Sequence, residues 1–283
     1  MSKIKIAELF YSLQGEGKYV GVPSVFLRTF GCNFTCSGFG MQPGQLSDER
    51  EAIVKHIDQY KHYNDLPLVH TGCDSYASWD PRFKHLSPMF STDEIVERIL
   101  TLLPEERWNA EHLIITGGEP LLGWQRSYED LLSHEKMKGL TSLTFETNGT
   151  QKLTEEFKKY LFNYSRLHKG NTELIFSVSA KLSPSGEKWE DAILPDVVKE
   201  YDWYGEVYLK FVVDKETDLH EIDRAVAAYR NAGIRGDVYL MPVGGTDQLY
   251  FNNYRAVAEM AMKRGWRYSP RLQVDIWRNA WGT

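Results

Sequence analysis

Cys32 and Cys36 lie in Gly31-Cys32-Asn33-Phe34-Thr35-Cys36, and Cys73 follows 37 positions later in Cys73-Asp74-Ser75-Tyr76. Thiolate is the soft ligand that iron–sulfur chemistry selects, and three thiolates on a four-iron cluster leave one iron open to a small molecule. Buried free thiols or an incomplete zinc site are the competing readings of the same three residues. A second segment, Thr116-Gly117-Gly118-Glu119-Pro120, ends a strand-like run. Its two glycines let backbone approach a ligand closely, and the Glu119 carboxylate can receive an ammonium group. By itself such a segment is only a turn; its weight comes from the cysteines upstream.

The elements that must position these groups follow from periodicity. Strand-like runs cover Ile4 to Leu13, Ser24 to Phe30, Leu113 to Thr116, Ser142 to Thr147, Leu174 to Ala180, Val207 to Val213 and Val238 to Pro242. Helical patterns fall between the later ones. The first starts near Ser91, where Ser91 and Glu94 form a capping box and Ile95, Ile99, Leu102 and Leu103 share a face. Others cover Thr154 to Phe162, Trp189 to Lys199, Glu216 to Ala232 and Asn253 to Arg264, with Gly233 and Gly265 as stop signals for the last two. This alternation predicts an α/β protein, a partial (β/α)6-type barrel, with a doubly wound open sheet as the alternative. In either architecture ligands gather at the C-terminal ends of the strands, where Gly117 to Pro120, Glu146 to Gly149 and Ser179 to Ser183 fall.

With 283 residues, 42% hydrophobic and 25% charged, the chain can bury one sizeable core. No linker, repeat or low-complexity tract divides it, so a single domain over 1–283 is expected. The formal charge of -6 disfavours a broad cationic surface for nucleic acid and points to a small-molecule substrate. The N-terminal residues lack an apolar secretory segment, and no apolar run approaches the roughly 20 residues that span a bilayer. A cytoplasmic location is expected, with no membrane partner and with thiols kept reduced.

Together, the Cys-x3-Cys segment and the Gly-Gly-Glu-Pro turn resemble the radical S-adenosylmethionine (SAM) superfamily. The resemblance extends to the 7-carboxy-7-deazaguanine synthase family through Tyr11-Ser12-Leu13-Gln14-Gly15-Glu16-Gly17, Phe26-Leu27-Arg28, Cys73-Asp74-Ser75, Trp79-Asp80, Glu146-Thr147-Asn148-Gly149 and Ser179-Ala180-Lys181-Leu182-Ser183, with a weaker match at Ser269-Pro270-Arg271-Leu272. It implies a lyase of queuosine-type deazapurine biosynthesis that converts 6-carboxy-5,6,7,8-tetrahydropterin to 7-carboxy-7-deazaguanine with loss of ammonia. A reduced [4Fe–4S] cluster on Cys32, Cys36 and Cys73 would cleave SAM to methionine and a 5′-deoxyadenosyl radical. By the same matching Gly118, Glu119, Asn148, Ser179 and Lys181 bind SAM, Gln14, Glu16, Arg28 and Gln273 bind the pterin, and Ser75 ligates Mg2+. A flavodoxin- or ferredoxin-type electron donor and a homodimer are also implied, with no direct contact to nucleic acid.

The chain departs from this pattern in one large respect. Residues 37–72 separate the second and third cysteines, where most radical SAM enzymes have two residues, and Gly72 replaces the aromatic that often packs on adenine; Tyr76 is a candidate substitute. Within the insertion, Ser47 to Tyr63 reads as helix-like, with Ile53, Val54, Ile57 and Tyr60 on one apolar face. A lid, a docking surface and an inert elaboration are all open readings. Gln273 stands where many relatives are expected to carry His, and Ser75 where Thr is usual. His56, His62, His70 and His85 match no compact zinc spacing and are expected to be exposed. Two alternatives remain: a glycyl-radical activating enzyme acting on a protein, against which the Gln14–Gly17 segment argues, and a non-catalytic metal-stabilised binding protein.

Overall fold

The computed structural model describes residues 2–167 and 172–283. Among the described residues, nine strands form one sheet: β1 (Lys3–Leu13), β2 (Pro23–Thr29), β3 (Met89–Ser91), β4 (His112–Gly117), β5 (Ser142–Thr147), β6 (Glu173–Val178), β7 (Glu206–Val213), β8 (Val238–Pro242) and β9 (Arg267–Tyr268). Their order is β3-β1-β2-β4-β5-β6-β7-β8-β9. Every pair from β2 to β9 is parallel, while β1 is antiparallel to both its neighbours. The helices are α1 (Glu49–Val54), α2 (Thr92–Leu102), α3 (Gln125–Leu132), α4 (Glu155–Leu167), α5 (Trp189–Ala192), α6 (Pro195–Tyr201), α7 (Leu219–Asn231), α8 (Asp247–Arg264) and α9 (Leu272–Trp277). The strand–helix alternation is that of a partial (β/α)6-type barrel, left open between β3 and β9.

Side chains alternate across each strand, and the two faces do different work. Outward residues Leu27, Leu113, Ile115, Phe145, Phe176, Leu209 and Phe211 are buried in the main core under the helices. Phe145 stacks on Phe176 at 5.6 Å, and Phe176 on Tyr201 of α6 at 4.8 Å. Fully burying one such aromatic is worth about 1.5–3 kcal/mol. The opposite face is closed at its N-terminal end by Ile175, Tyr208 and Tyr239 with Tyr19 packed against them. His112 joins this floor, edge-on to Tyr19 and bonded to the Thr144 hydroxyl at 2.8 Å. Towards the C-terminal ends the same face carries Arg28, Glu146 and Lys210, which line a cavity.

The Ser91–Glu94 capping box forms at the start of α2: the Ser91 amide donates to the Glu94 carboxylate at 2.7 Å, and the Glu94 amide to Ser91 Oγ at 3.3 Å. Gly233 (φ +94°) and Gly265 (φ +63°) follow α7 and α8 in left-handed geometry. Helix α4 runs on to Leu167, beyond the predicted end at Phe162, and Glu216–Asp218 is a 3-10 turn ahead of α7. Three further predicted helices also differ from the structure. The expected helix over Trp189 to Lys199 is two, because Pro195 has no amide hydrogen and Leu194 turns out of helical geometry at ψ 75°. Helix α8 begins six residues before Asn253, following an extended Thr246. The stretch from Ser47 to Tyr63 is the short α1 followed by 3-10 turns at Ile57–Gln59 and Tyr63–Asp65. Its apolar residues do find a common core: Ile53, Tyr63, Leu66 and Val69 pack with Tyr76, Phe83 and Leu86, and Val54, Ile57, Tyr60 and Trp281 lie against them. His56, His62, His70 and His85 are exposed, as expected.

Candidate active site

The loop leaving β2 carries Cys32 and Cys36, and the insertion returns the chain beside them through a short zipper. The Ser47 amide donates to the Ser37 carbonyl at 2.7 Å, and the Gly72 amide to the Phe39 carbonyl at 2.7 Å. The Glu49 carboxylate accepts from the amides of His70 (2.7 Å) and Thr71 (2.9 Å) and from the Thr71 hydroxyl (2.6 Å). Gly72 sits at φ +78°, and a Cβ there would lie 3.1 Å from Ser47 Cβ, so this crossing suits glycine rather than an aromatic. Residues 37–72 thus form a closed excursion that brings Cys73 back to Cys32 and Cys36.

All three thiols are free. They share an apolar corner with Phe34, Phe39 and Ala192. Burial pushes the Cys32 thiol up to about 12, and raises Cys36 and Cys73 as well. Thiolates in such a corner need bound metal to be stable. Three donors already face the sulfurs: the Phe34 amide to Cys32 Sγ at 3.4 Å, Trp79 Nε1 to Cys73 Sγ at 3.3 Å, and the Ser75 amide to Cys73. Among the described residues no group of three or more His, Cys, Asp or Glu side chains could hold a single metal ion. A cluster is a different demand, because its thiolates bind different irons and are spread more widely.

The strand ends β4 to β6 supply the adjoining wall. A Cβ on Gly117 would lie 2.5 Å from the Thr29 carbonyl oxygen, and one on Gly118 would lie 2.5 Å from the Gly31 oxygen and 2.7 Å from Cys32 Cβ. Both glycines are therefore required by the approach of β4 to the cysteine loop. Gly118, Asn148, Ser179 and Lys181 line the cavity. Asn148 Nδ2 donates to Asn33 Oδ1 at 2.9 Å, and Lys181 Nζ to Ser179 Oγ at 3.0 Å. The Glu119 carboxylate is placed elsewhere. It is fully buried behind the wall, accepting from the Leu121 amide (3.0 Å), the Thr147 hydroxyl (2.8 Å) and the Asn148 amide (2.7 Å), and so ties the end of β4 to the end of β5. Burial raises its pKa to about 7 against these donors. Tyr76, the candidate for an adenine contact, is instead in the second core, edge-on to Phe83 with its hydroxyl on the Pro67 carbonyl at 2.8 Å.

At the far end of the cavity stand Gln14, Glu16, Arg28 and Gln273. Glu16 is gripped by Lys210 Nζ (2.6 Å), Gln273 Nε2 (2.8 Å) and Arg271 Nε (3.2 Å). Burial alone would raise its pKa, but Lys210 and Arg271 hold it down at about 2. Gln14 Nε2 donates to Glu146 Oε1 at 3.1 Å. Arg28 donates through Nε to Glu8 at 2.8 Å and through Nη1 to Ser75 Oγ at 3.1 Å, and Ser75 donates to Asp74 at 3.3 Å. The glycines flanking Glu16 have physical reasons. A Cβ on Gly15 would meet Gln273 Oε1 at 1.9 Å, and Gly17 sits at φ +69° with the Tyr208 hydroxyl 2.5 Å from its would-be Cβ.

Five charged cavity residues were given no role of their own by the sequence reading: Glu8, Asp74, Glu146, Lys210 and Arg271. Glu146 and Lys210 carried a legible signal, being lone charges inside strand-like runs, and Glu8 shares its run with only Lys5; Lys210, between Leu209 and Phe211, is the clearest. Asp74 and Arg271 lie inside segments that resemble the family, but nothing local announced their pairing, since the 2.5 Å ion pair joins positions far apart in the chain.

No protein-family model matches the chain. Curated relatives do. A 7-carboxy-7-deazaguanine synthase of Halobacterium salinarum is 32% identical over 98% of this chain and 91% of its own length. One from Pyrobaculum aerophilum is 29% identical over 99% of this chain and 97% of its own. The crystal structure of QueE from Escherichia coli superposes with a TM-score of 0.55 at 21% identity, covering 95% of this chain and 94% of that one, a likeness of fold. With a relative of such identity matched along nearly its whole length, the chain belongs to the 7-carboxy-7-deazaguanine synthase family.

Proposed function

We propose that this chain converts 6-carboxy-5,6,7,8-tetrahydropterin to 7-carboxy-7-deazaguanine with release of ammonia. The observation that carries the reading is one cavity with a three-thiol corner beside the strand-end glycines and a polar, charged group at Gln14, Glu16 and Arg28. Cys32, Cys36 and Cys73 are the residues that would hold a [4Fe–4S] cluster, and Gly118, Asn148, Ser179 and Lys181 those that would face SAM. When bound, the pair supplies hydrogen-abstracting radical chemistry.

The rest falls to the chain itself. Glu16, kept ionised by Lys210 and Arg271, is an acceptor only, suited to the N–H donors of an aminopyrimidinone edge. Gln14 adds a donor and an acceptor beside it. The Arg28 guanidinium, fixed by Glu8 and Ser75, is suited to clamp the substrate carboxylate. Ser75 and Asp74 offer the oxygen ligands a hard Mg2+ prefers. The Tyr208, Tyr239 and Tyr19 floor closes the barrel against water from below. Glu119 acts one layer out, holding the two strand ends that frame the SAM wall.

The continuous sheet supports one domain over 1–283 bearing the 37–72 excursion. Among the described residues no helix is long and apolar enough to cross a membrane. A cytoplasmic homodimer served by a flavodoxin- or ferredoxin-type donor completes the reading. Family membership disfavours the glycyl-radical activating and metal-stabilised binding alternatives.

The test is anaerobic incubation of the reconstituted protein with SAM, dithionite, Mg2+ and 6-carboxytetrahydropterin, followed by mass spectrometry. The deazaguanine and 5′-deoxyadenosine should both form, and Cys73→Ala should abolish both. 5′-Deoxyadenosine without the deazaguanine would show the substrate to be wrong; neither product, with a cluster intact, would overturn the activity.

A further inference from the structure

The insertion touches the cysteine corner by a second route besides its zipper. Trp79 Nε1 donates to Cys73 Sγ at 3.3 Å. The outer face of the same indole is covered by Arg50 of α1, whose guanidinium carbon lies 4.6 Å from the ring centroid. Arg50 is in turn held by Asp80 at 3.0 Å and Glu51 at 3.2 Å. Arg82 closes the frame, pairing with Asp80 at 2.6 Å and Glu51 at 2.7 Å. Asp80 is almost fully buried, so this frame is anchored at its base, and Trp79 is clamped between it and the sulfur. The Arg50 charge is matched by two carboxylates within the frame. What passes inward is therefore the orientation of the indole N–H.

We infer that the insertion tunes the cluster through this relay: Arg50 fixes Trp79, and the Trp79 N–H···S bond to Cys73 raises the reduction potential of the cluster. The inference rests on the reading of Cys32, Cys36 and Cys73 as cluster ligands. One electron from a low-potential donor takes the cluster from its 2+ to its 1+ state, and the added negative charge is shared by the sulfurs. A hydrogen bond to a sulfur is stronger in the more negative state, so it favours the reduced form. Trp79 is a positioning and tuning residue here and makes no claim on substrate. The insertion supplies Arg50 and Glu51, which gives residues 37–72 a role that neither a lid nor an inert loop would have.

The experiment is an EPR-monitored potentiometric titration of the reconstituted protein, with iron and labile sulfide measured on each sample. Trp79→Phe keeps an aromatic ring under Arg50 and removes only the N–H. Its midpoint is expected to move to more negative potential by about the equivalent of a tenfold loss in the one-electron equilibrium, about 59 mV. Arg50→Met should shift the midpoint in the same direction by less, Arg50→Lys should restore it in part, and Arg50→Met should add nothing in the Trp79→Phe background. An unmoved midpoint in Trp79→Phe, at wild-type iron and sulfide content, overturns the inference and leaves the proposed activity standing. Should Trp79→Phe fail to take up a cluster, Arg50→Met decides: no shift overturns the relay, and a negative shift relieved by Arg50→Lys supports it. A wild-type protein with zinc and no labile sulfide would overturn both this inference and the proposed function.

Discussion

Glu16 and Glu119 are two buried carboxylates driven in opposite directions by what surrounds them. Lys210 and Arg271 keep Glu16 ionised down to about pH 2, so at neutral pH its titration does not limit binding. Removing Lys210 leaves Arg271 alone against the burial and raises that pKa. Lys210→Met is therefore expected to introduce an acid limb into the pH profile of kcat/KM where the wild type is flat, and to cost about tenfold or more at neutral pH, the scale of a lost charge-assisted hydrogen bond. Glu119 is the reverse case: the folded state holds its proton up to about pH 7, against 4.5 for the free side chain. Because the folded state binds more protons in that window, wild-type stability falls as pH rises from about 4.5 to about 7. Glu119→Gln should flatten that slope in thermal unfolding. It should also cost about 1–3 kcal/mol, because its NH2 would face an amide donor. Gly118→Ala should cost about 1–3 kcal/mol by overpacking against Gly31 and Cys32, and reconstituted samples should hold less iron than wild type.

The glycines and the lone charges were legible from the chain, but the partners that give them meaning were not. Gly15 is fixed by Gln273 and Gly17 by Tyr208, contacts that span most of the sequence. The same holds for elements. The capping box of α2 and the glycine stops of α7 and α8 are local, and they stand where the sequence puts them. The insertion is governed by non-local contacts, so its apolar spacing identified a buried face without giving the right element. Its core is completed by Trp281 from the other end of the chain, whose Nε1 donates to the Leu66 carbonyl at 2.6 Å and whose ring is edge-on to Tyr63 at 5.0 Å. Trp281→Ala should accordingly speed amide hydrogen exchange across residues 53–69 while leaving β4 to β7 unchanged, since the residues that build this core come from outside those strands. Uniform acceleration throughout the protein would contradict a separate second core.

At the scale of the whole molecule, one alternation organises function. Each parallel strand sends one set of side chains to the helices and the other to the barrel interior, where an aromatic floor gives way to a charged chamber under the cysteine corner. The sequence by itself determined the strand–helix alternation, the positions of the strand ends and the three thiols, because hydrophobic period, capping chemistry and residue type act over a few neighbours; Gln14, Glu16 and Arg28 stood out only through the family resemblance. Only the tertiary structure decided that residues 37–72 close on themselves to return Cys73 to Cys36, that Glu119 braces the wall from behind, that Tyr76 is core, and that Lys210 and Arg271 hold Glu16. Those outcomes depend on which distant groups share a desolvated space, where charge, burial and steric fit are settled between residues that the chain itself keeps far apart.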